Sequence, residues 1–185
     1  MIYLHIYTLE QCTKKQISHY SKVKLRENIS YYLQQDADEI QFSYNSNGKP
    51  STENLSFSVS HSREKLVHVY TKSGEIGVDI EYKDHNRKYM KLVKRYFHQQ
   101  EYSYLKTLNK TQSRDVFFQL WTAKEAVCKA QGGRLWSYLA ESYLNQKNAL
   151  KDSIQELKLK NISNNQDYAL TLATEKDQDV QTVYA

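Results

Sequence analysis

The sequence predicts an α+β fold whose sheets are mainly antiparallel. Three observations carry this: period-two alternation near both ends of the chain, helical spacing in separate stretches between them, and turn-bounded strands that follow one another with no helix intervening. Ile2, Leu4 and Ile6 alternate with Tyr3, His5 and Tyr7, as in a half-buried strand. From residue 16 to 33, Ile17, Tyr20, Leu25, Ile29, Tyr32 and Leu33 recur at helical spacing. Ile40, Phe42 and Tyr44 alternate again, and Asn45-Ser-Asn-Gly-Lys-Pro50 then breaks the chain with turn formers. Extended segments are expected over 55–60, 65–71 and 76–82, with a tight hairpin turn at Ser73-Gly74-Glu75 joining the last two. The polar run 83–88 is the best internal seam and divides the chain into halves 1–83 and 84–185. Beyond it Tyr89, Leu92, Val93, Tyr96, Tyr102 and Leu105 are helical in spacing. A longer helix is predicted over 113–130, ended by Gly132-Gly133, where a residue with positive φ commonly stops a helix. Ile154, Leu157 and Leu159, then Tyr168, Leu170 and Leu172, return to strand.

Composition excludes several classes. No apolar run approaches the roughly 20 residues a membrane helix needs. The opening Met1-Ile-Tyr-Leu-His-Ile-Tyr lacks the basic and long apolar regions of a signal peptide. Cys12 and Cys128 are too few for a disulfide framework or a cysteine-rich zinc site. A soluble cytoplasmic protein is expected, of one domain or two small ones closely packed. The apolar share of 39% includes 16 tyrosines, and mean hydropathy is -0.79. The core must therefore use tyrosine rings whose hydroxyls turn to water or to partners. The net charge of +5 suits a polyanionic partner such as nucleic acid, a phosphorylated cofactor or an acidic protein. It equally suits a solvated surface.

Three stretches carry chemistry. In Gly77-Val-Asp-Ile-Glu81, strand geometry sends Val78 and Ile80 to one face and Asp79 and Glu81 to the other. Neighbouring carboxylates repel, so the pair is favourable mainly around a cation, and hard oxygen ligands suit Mg²⁺. An exposed strand face with two ordinary acids reads the same way. In Trp121-Thr-Ala-Lys-Glu-Ala-Val-Cys-Lys129, Glu125 and Lys129 share a helix face with Trp121 one turn earlier, and Lys124 lies about 100° round. An ordinary helix pair worth about 0.3–0.5 kcal/mol fits too. Cys128 reads as a small packed residue. In Phe57-Ser-Val-Ser-His-Ser62, the serines face away from Phe57 and Val59, with His61 at the strand end; with Lys49 upstream they could bind phosphate oxygens. A backbone-bonded histidine is the alternative there. Hydrolysis is discounted: Ser60 and His61 project oppositely, and Gly-x-Ser-x-Gly is absent.

Taken in order, Gly48-Lys-Pro, Phe57-Ser-Val-Ser-His-Ser, Gly77-Val-Asp-Ile-Glu and Trp121-Thr-Ala-Lys-Glu-Ala-x-x-Lys resemble the 4′-phosphopantetheinyl transferases of the Sfp-like class, which activate carrier proteins. Residues 94–105 look like the family's region between the last two motifs, so the resemblance runs from about Gly48 to Gly133. It implies two similar α/β halves related by a pseudo-twofold, with coenzyme A in the cleft between them. It implies transfer of the phosphopantetheine arm from coenzyme A to a carrier-protein serine, releasing 3′,5′-ADP. Asp79, Glu81 and Glu125 match the Mg²⁺ ligands, and Glu125 also matches the general base toward the serine. Lys129 matches the lysine that steadies the pyrophosphate. Lys49, Ser60, His61 and Lys124 match coenzyme A contacts.

The implied partners are coenzyme A and an acyl, peptidyl or aryl carrier protein, which would dock between about Tyr89 and Tyr104. No membrane is implied, and a monomer suffices. The family pattern has a longer segment before Gly-Lys-Pro, with basic residues for the 3′-phosphate; here Lys22, Lys24 and Arg26 lie in that region without a motif. Two other readings differ in signature. A catalytically impaired relative would bind coenzyme A without transfer. A tyrosine-rich nucleic-acid module would show salt-sensitive binding without Mg²⁺-dependent turnover, and no nucleic-acid motif supports it.

Overall fold

Ten strands and five α-helices, with a single 3-10 turn at Ala37–Glu39, follow one another in a computed structural model that describes residues 1–162 and 166–185. They are β1 (Ile2–Thr8), α1 (Lys14–Leu33), β2 (Ser43–Tyr44), β3 (Pro50–Ser51), β4 (Ser56–Ser62), β5 (Lys65–Thr71), β6 (Ile76–Tyr82), α2 (Met90–Tyr96), α3 (Gln99–Thr107), α4 (Lys110–Gln131), α5 (Trp136–Leu139), β7 (Ser153–Ile154), β8 (Leu157–Asn161), β9 (Tyr168–Thr174) and β10 (Val180–Tyr184). The first sheet has the order β10-β1-β5-β4, the second β6-β9-β8-β7, and β2-β3 form a small ribbon. Of the described strand pairs, β1–β10 is parallel and the others are antiparallel. This is the α+β class the patterning predicts.

The layers run helix, sheet, sheet, helices. Ile2 and Leu4 of β1 and Val67 and Val69 of β5 meet Ile76, Val78 and Ile80 of β6 and Leu170 and Leu172 of β9 in the core between the sheets. The outer face of the second sheet packs on α2–α5 through Phe117, Phe118, Val127 and Ala173. The outer face of the first sheet packs on α1 through Ile29, Phe57 and Tyr70. Both long helices start with a capping box, Thr13 with Gln16 and Asn109 with Gln112, which satisfies otherwise orphaned N–H groups. Gly132, at φ 62°, ends α4 in the left-handed conformation expected there.

Two expectations change. β5 and β6 do not form a hairpin; they lie in different sheets, and the turn at Ser73–Glu75 carries the chain from one to the other. β6 uses one edge to pair with β9, from Ile76↔Thr174 to Tyr82↔Tyr168. Its other edge meets the side chains of β4. By sheet membership, therefore, the chain changes halves near Gly74, and the run 83–88 is a connection from β6 to α2. Strand β10 then returns to the first sheet beside β1, Ile2↔Val180 through Ile6↔Tyr184, a crossing that the local pattern did not announce.

Helix α1 buries only Ile17 and Ile29 among its residues and is held by polar contacts as well. Buried His68 stands 2.9 Å from Ser21 Oγ on α1 and 2.9 Å from the Tyr70 hydroxyl. Asn28 donates to the Tyr7 and Tyr70 hydroxyls at 2.7 and 3.0 Å. The tyrosines here do place rings inside with hydroxyls on partners. Burial lowers the His68 pKa to about 3. The unfolded chain, with an ordinary imidazole near 6.5, then binds a proton the native state excludes. The His68 contribution to stability is therefore full above about pH 6.5 and falls as the pH drops toward 3, by at most ~1.4 kcal/mol per pH unit. Between pH 7.5 and 5, urea unfolding should show His68→Gln gaining stability relative to the parent as the pH falls; an identical pH dependence in the two would assign the effect elsewhere.

Candidate active site

The site grows from the contact of β6 with α4. A Cβ built on Gly77 would lie 2.0 Å from the Ala126 carbonyl oxygen and 2.5 Å from the Ala130 amide nitrogen, so only glycine lets the strand sit this close to the helix. Residues 77, 79 and 81 share that face by strand parity. Asp79 and Glu81 thus project toward α4, while Val78 and Ile80 enter the inter-sheet core, as the sequence predicts.

Lys129 Nζ, from α4, donates to Asp79 Oδ1 at 2.7 Å and to Ser60 Oγ at 2.9 Å. It crosses to the strand rather than pairing with Glu125 along its own helix. Glu81 Oε1 accepts from Trp121 Nε1 at 3.2 Å and lies 3.7 Å from Arg87. Glu125 has no hydrogen bond or ion pair among the described residues, and the buried Asp79 Oδ2 is likewise without a partner. Burial, reinforced by Asp79, pushes the Glu125 pKa up to about 7. Burial and then Asp79 raise Glu81 as well.

As placed, no three acidic, histidine or cysteine side chains among the described residues stand together closely enough to hold a metal. The donor set nevertheless fits one. Carboxylate oxygens are the ligands a hard divalent cation takes, and their mutual repulsion, an orphaned Asp79 Oδ2 and an unengaged Glu125 are what such a cation would relieve.

A cavity of about 460 Å³ opens beside this cluster, between α1, the loop before β3, β4 and the end of α4. Lys22, Lys49, His61, Cys128 and Lys129 border it. Lys49 Nζ donates to the Ala130 carbonyl at 2.5 Å and to Glu75 Oε2 at 2.6 Å. Its loop is fastened by Asn45 and Asn47, whose side-chain amides each donate to Gly132 O at 2.9 Å. Beyond their place in a turn, nothing in the local pattern marks those anchors. Burial raises the Cys128 thiol to about 11, in keeping with a packed rather than nucleophilic role.

Besides Lys49, two further expected coenzyme A contacts have partners within the protein. Ser60 Oγ donates to Asp79 Oδ1 at 2.7 Å and accepts from Lys129 and from the Ile80 amide, which uses the whole capacity of a hydroxyl. Lys124 is buried in the helical layer, 0% exposed, facing the Leu139 and Glu141 carbonyls at 3.2 and 2.5 Å and the Glu101 carboxylate at 3.1 Å. The ~100° step from Glu125 points it toward α3, away from the cavity. Its ammonium lies 4.2 Å from the Tyr143 ring centroid, and burial lowers its pKa to about 8. Lys124→Met would leave the Glu101 carboxylate in the core without its cation, the Tyr143 amide still donating to it, with an expected loss of about 3–5 kcal/mol. Adding Glu101→Gln should recover much of it in urea unfolding; additive losses would deny the coupling.

Comparison with known proteins places the chain in a family. Residues 75–183 match the family model described as the 4′-phosphopantetheinyl transferase superfamily, more than half of the chain. The chain belongs to that superfamily. It is 34% identical to the 4′-phosphopantetheinyl transferase HetI of Nostoc sp. over 114 residues, 58% of this chain and 48% of the relative. It is 34% identical to the 4′-phosphopantetheinyl transferase Sfp of Bacillus subtilis over 113 residues, 60% of this chain and 49% of the relative. With the transferase AcpT of Escherichia coli K12 it shares 29% identity over 100 residues, 52% of this chain and 51% of the relative. The chain spans about half the length of the curated relatives it matches. No described helix is long and apolar enough to cross a membrane.

Proposed function

We propose that the protein moves the 4′-phosphopantetheine arm of coenzyme A to a serine of an apo carrier protein, with Mg²⁺ required and 3′,5′-ADP released. One observation carries the reading: Asp79, Glu81 and Lys129, with Glu125 on the adjoining turn of α4, gather at the β6–α4 contact beside a cavity bordered by Lys49 and His61. Asp79, Glu81 and Glu125 would hold Mg²⁺, which when bound would neutralise pyrophosphate charge.

The protein's own residues account for the rest. Lys49 and His61 bind phosphate oxygens in the cavity. Lys129 swings from Asp79 to the pyrophosphate and stabilises the charge that grows on the leaving phosphate. The carrier serine Oγ bonds to the β-phosphorus as the bond from that phosphorus to the bridging oxygen breaks. Glu125 accepts the serine proton, directly or through water, and 3′,5′-ADP departs. Ser60 acts through Asp79, and Lys124 supports α4 from behind.

The carrier would approach along α2 and α3, between Tyr89 and Tyr104, where Lys94 and Arg95 are exposed. A basic pocket of about 500 Å³ bordered by Arg87, Lys88, Lys91, Lys110 and Arg114 adjoins that face and favours an acidic partner. The test is to incubate the protein with coenzyme A, Mg²⁺ and an apo carrier and to weigh the carrier. A gain of one phosphopantetheine arm supports the reading. No gain across fatty-acid, peptide-synthetase and polyketide carriers, with coenzyme A still bound, would make the protein a non-transferring relative.

A further inference from the structure

We propose that Ser60 and Ser62 are positioning residues for the metal-binding carboxylates of β6, each hydroxyl fixing one carboxylate and one strand amide at once. The inference rests on the reading of Asp79 and Glu81 as Mg²⁺ ligands.

The geometry repeats with the strand. β4 and β6 are edge strands of different sheets and share no backbone ladder, so the β6 amides on that side need acceptors. Three serines of β4, two residues apart, supply them. Ser58 Oγ accepts from the Val78 amide at 3.1 Å, Ser60 Oγ from Ile80 at 3.4 Å and Ser62 Oγ from Tyr82 at 3.0 Å. A hydroxyl that accepts from an amide keeps its proton to give. Ser60 gives it to Asp79 Oδ1 at 2.7 Å, and Ser62 to Glu81 Oε2 at 3.1 Å. Ser58, one repeat earlier, faces Gly77, which has no side chain to receive it. The same device is therefore present three times and coupled to a carboxylate twice.

The consequence is orientation. With Oδ1 held by Ser60 and Lys129, Asp79 keeps its other oxygen, Oδ2, buried and unpartnered. With Oε2 held by Ser62, Glu81 turns Oε1 toward Trp121 and α4. Hydrogen bonds of this kind fix ligand rotamers before a cation arrives, and losing one from a metal site typically costs about 10- to 100-fold in affinity. The β6 strand thus gains register and aimed carboxylates from a single row of hydroxyls.

Ser58 makes the test internal. Ser58→Ala and Ser62→Ala each remove one acceptor from the β6 edge, so both should lower the thermal midpoint. Only Ser62→Ala also frees a carboxylate. Mn²⁺ binding to the purified chain, followed by electron paramagnetic resonance without coenzyme A or carrier, should weaken about tenfold or more in Ser62→Ala. It should stay within about twofold of wild type in Ser58→Ala and recover in Ser62→Thr, which keeps the hydroxyl. If alanine at 62 leaves the chain unfolded, Ser62→Cys, with similar size and a poor donor, gives the same reading. Equal Mn²⁺ affinity in the Ser58 and Ser62 variants, with wild type binding normally, would overturn the positioning role alone. Failure of the folded wild type to bind Mn²⁺ would remove the metal assignment itself, and the positioning role with it.

Discussion

Replacing Glu125 by glutamine, or Asp79 by alanine, is expected to lower phosphopantetheinyl transfer by about 100- to 1000-fold with the fold intact, the scale on which one electrostatic contribution to a transition state is lost. The two variants should part company in stability. Glu125 is half-buried beside other acids, and its pKa is raised to about 7. A carboxyl that binds its proton more tightly when folded makes stability fall as pH rises from about 4.5 through 7, because over that range the native state holds more protons than the unfolded one. At pH 7.5 without metal, Glu125→Gln should therefore melt no lower than the parent. Asp79→Ala instead strips Lys129 of its 2.7 Å partner and should melt lower. Activity and stability moving together in both variants would mean that Glu125 serves the fold rather than the reaction.

The second large effect concerns a residue with no side chain. Gly77→Ala places a methyl group where the backbone of α4 stands, 2.0 Å from one of its carbonyl oxygens. A flexible side chain could yield; a helix backbone packed on both sheet and neighbours cannot. We expect a loss of at least about 3 kcal/mol, the upper end of overpacking costs. Gly48→Ala is the useful contrast: its Cβ would meet nothing within 4 Å, and only its φ of 84° argues against alanine. It should cost about 1 kcal/mol. Urea unfolding of both variants decides the matter, and a Gly77 variant no weaker than the Gly48 one would contradict the close-approach argument. Where some Gly77→Ala chains fold, Asp79 and Lys129 should lie farther apart, and transfer should suffer too.

How much of this was legible follows from the range of each signal. The alternation in residues 77–81 has the period of a strand, so which side chains meet α4 could be read directly, and the helix 113–130 with its glycine stop was equally local. Lys124 could not be read so. Its position round the helix fits either flank, and its choice is made by Glu101, 23 residues earlier on α3. The serines of β4 were seen as a row of hydroxyls on one face, but their partners are amides of a strand in another sheet. Val180-Gln-Thr-Val-Tyr184 has weak patterning of its own, and its place beside β1 is fixed by a pairing that spans almost the whole chain.

That last pairing bears on how the molecule is made. The strand that borders β1 is distant in sequence, Ile2 pairing with Val180, so β1 stays exposed along one edge until that segment arrives. The helical layer and the second sheet can consolidate in the meantime from contacts closer in sequence. The first sheet must wait for Val180–Tyr184, which makes its completion a high-contact-order step of folding. The second sheet, which carries Asp79 and Glu81, is thus tied to the first late, by the five residues of β10.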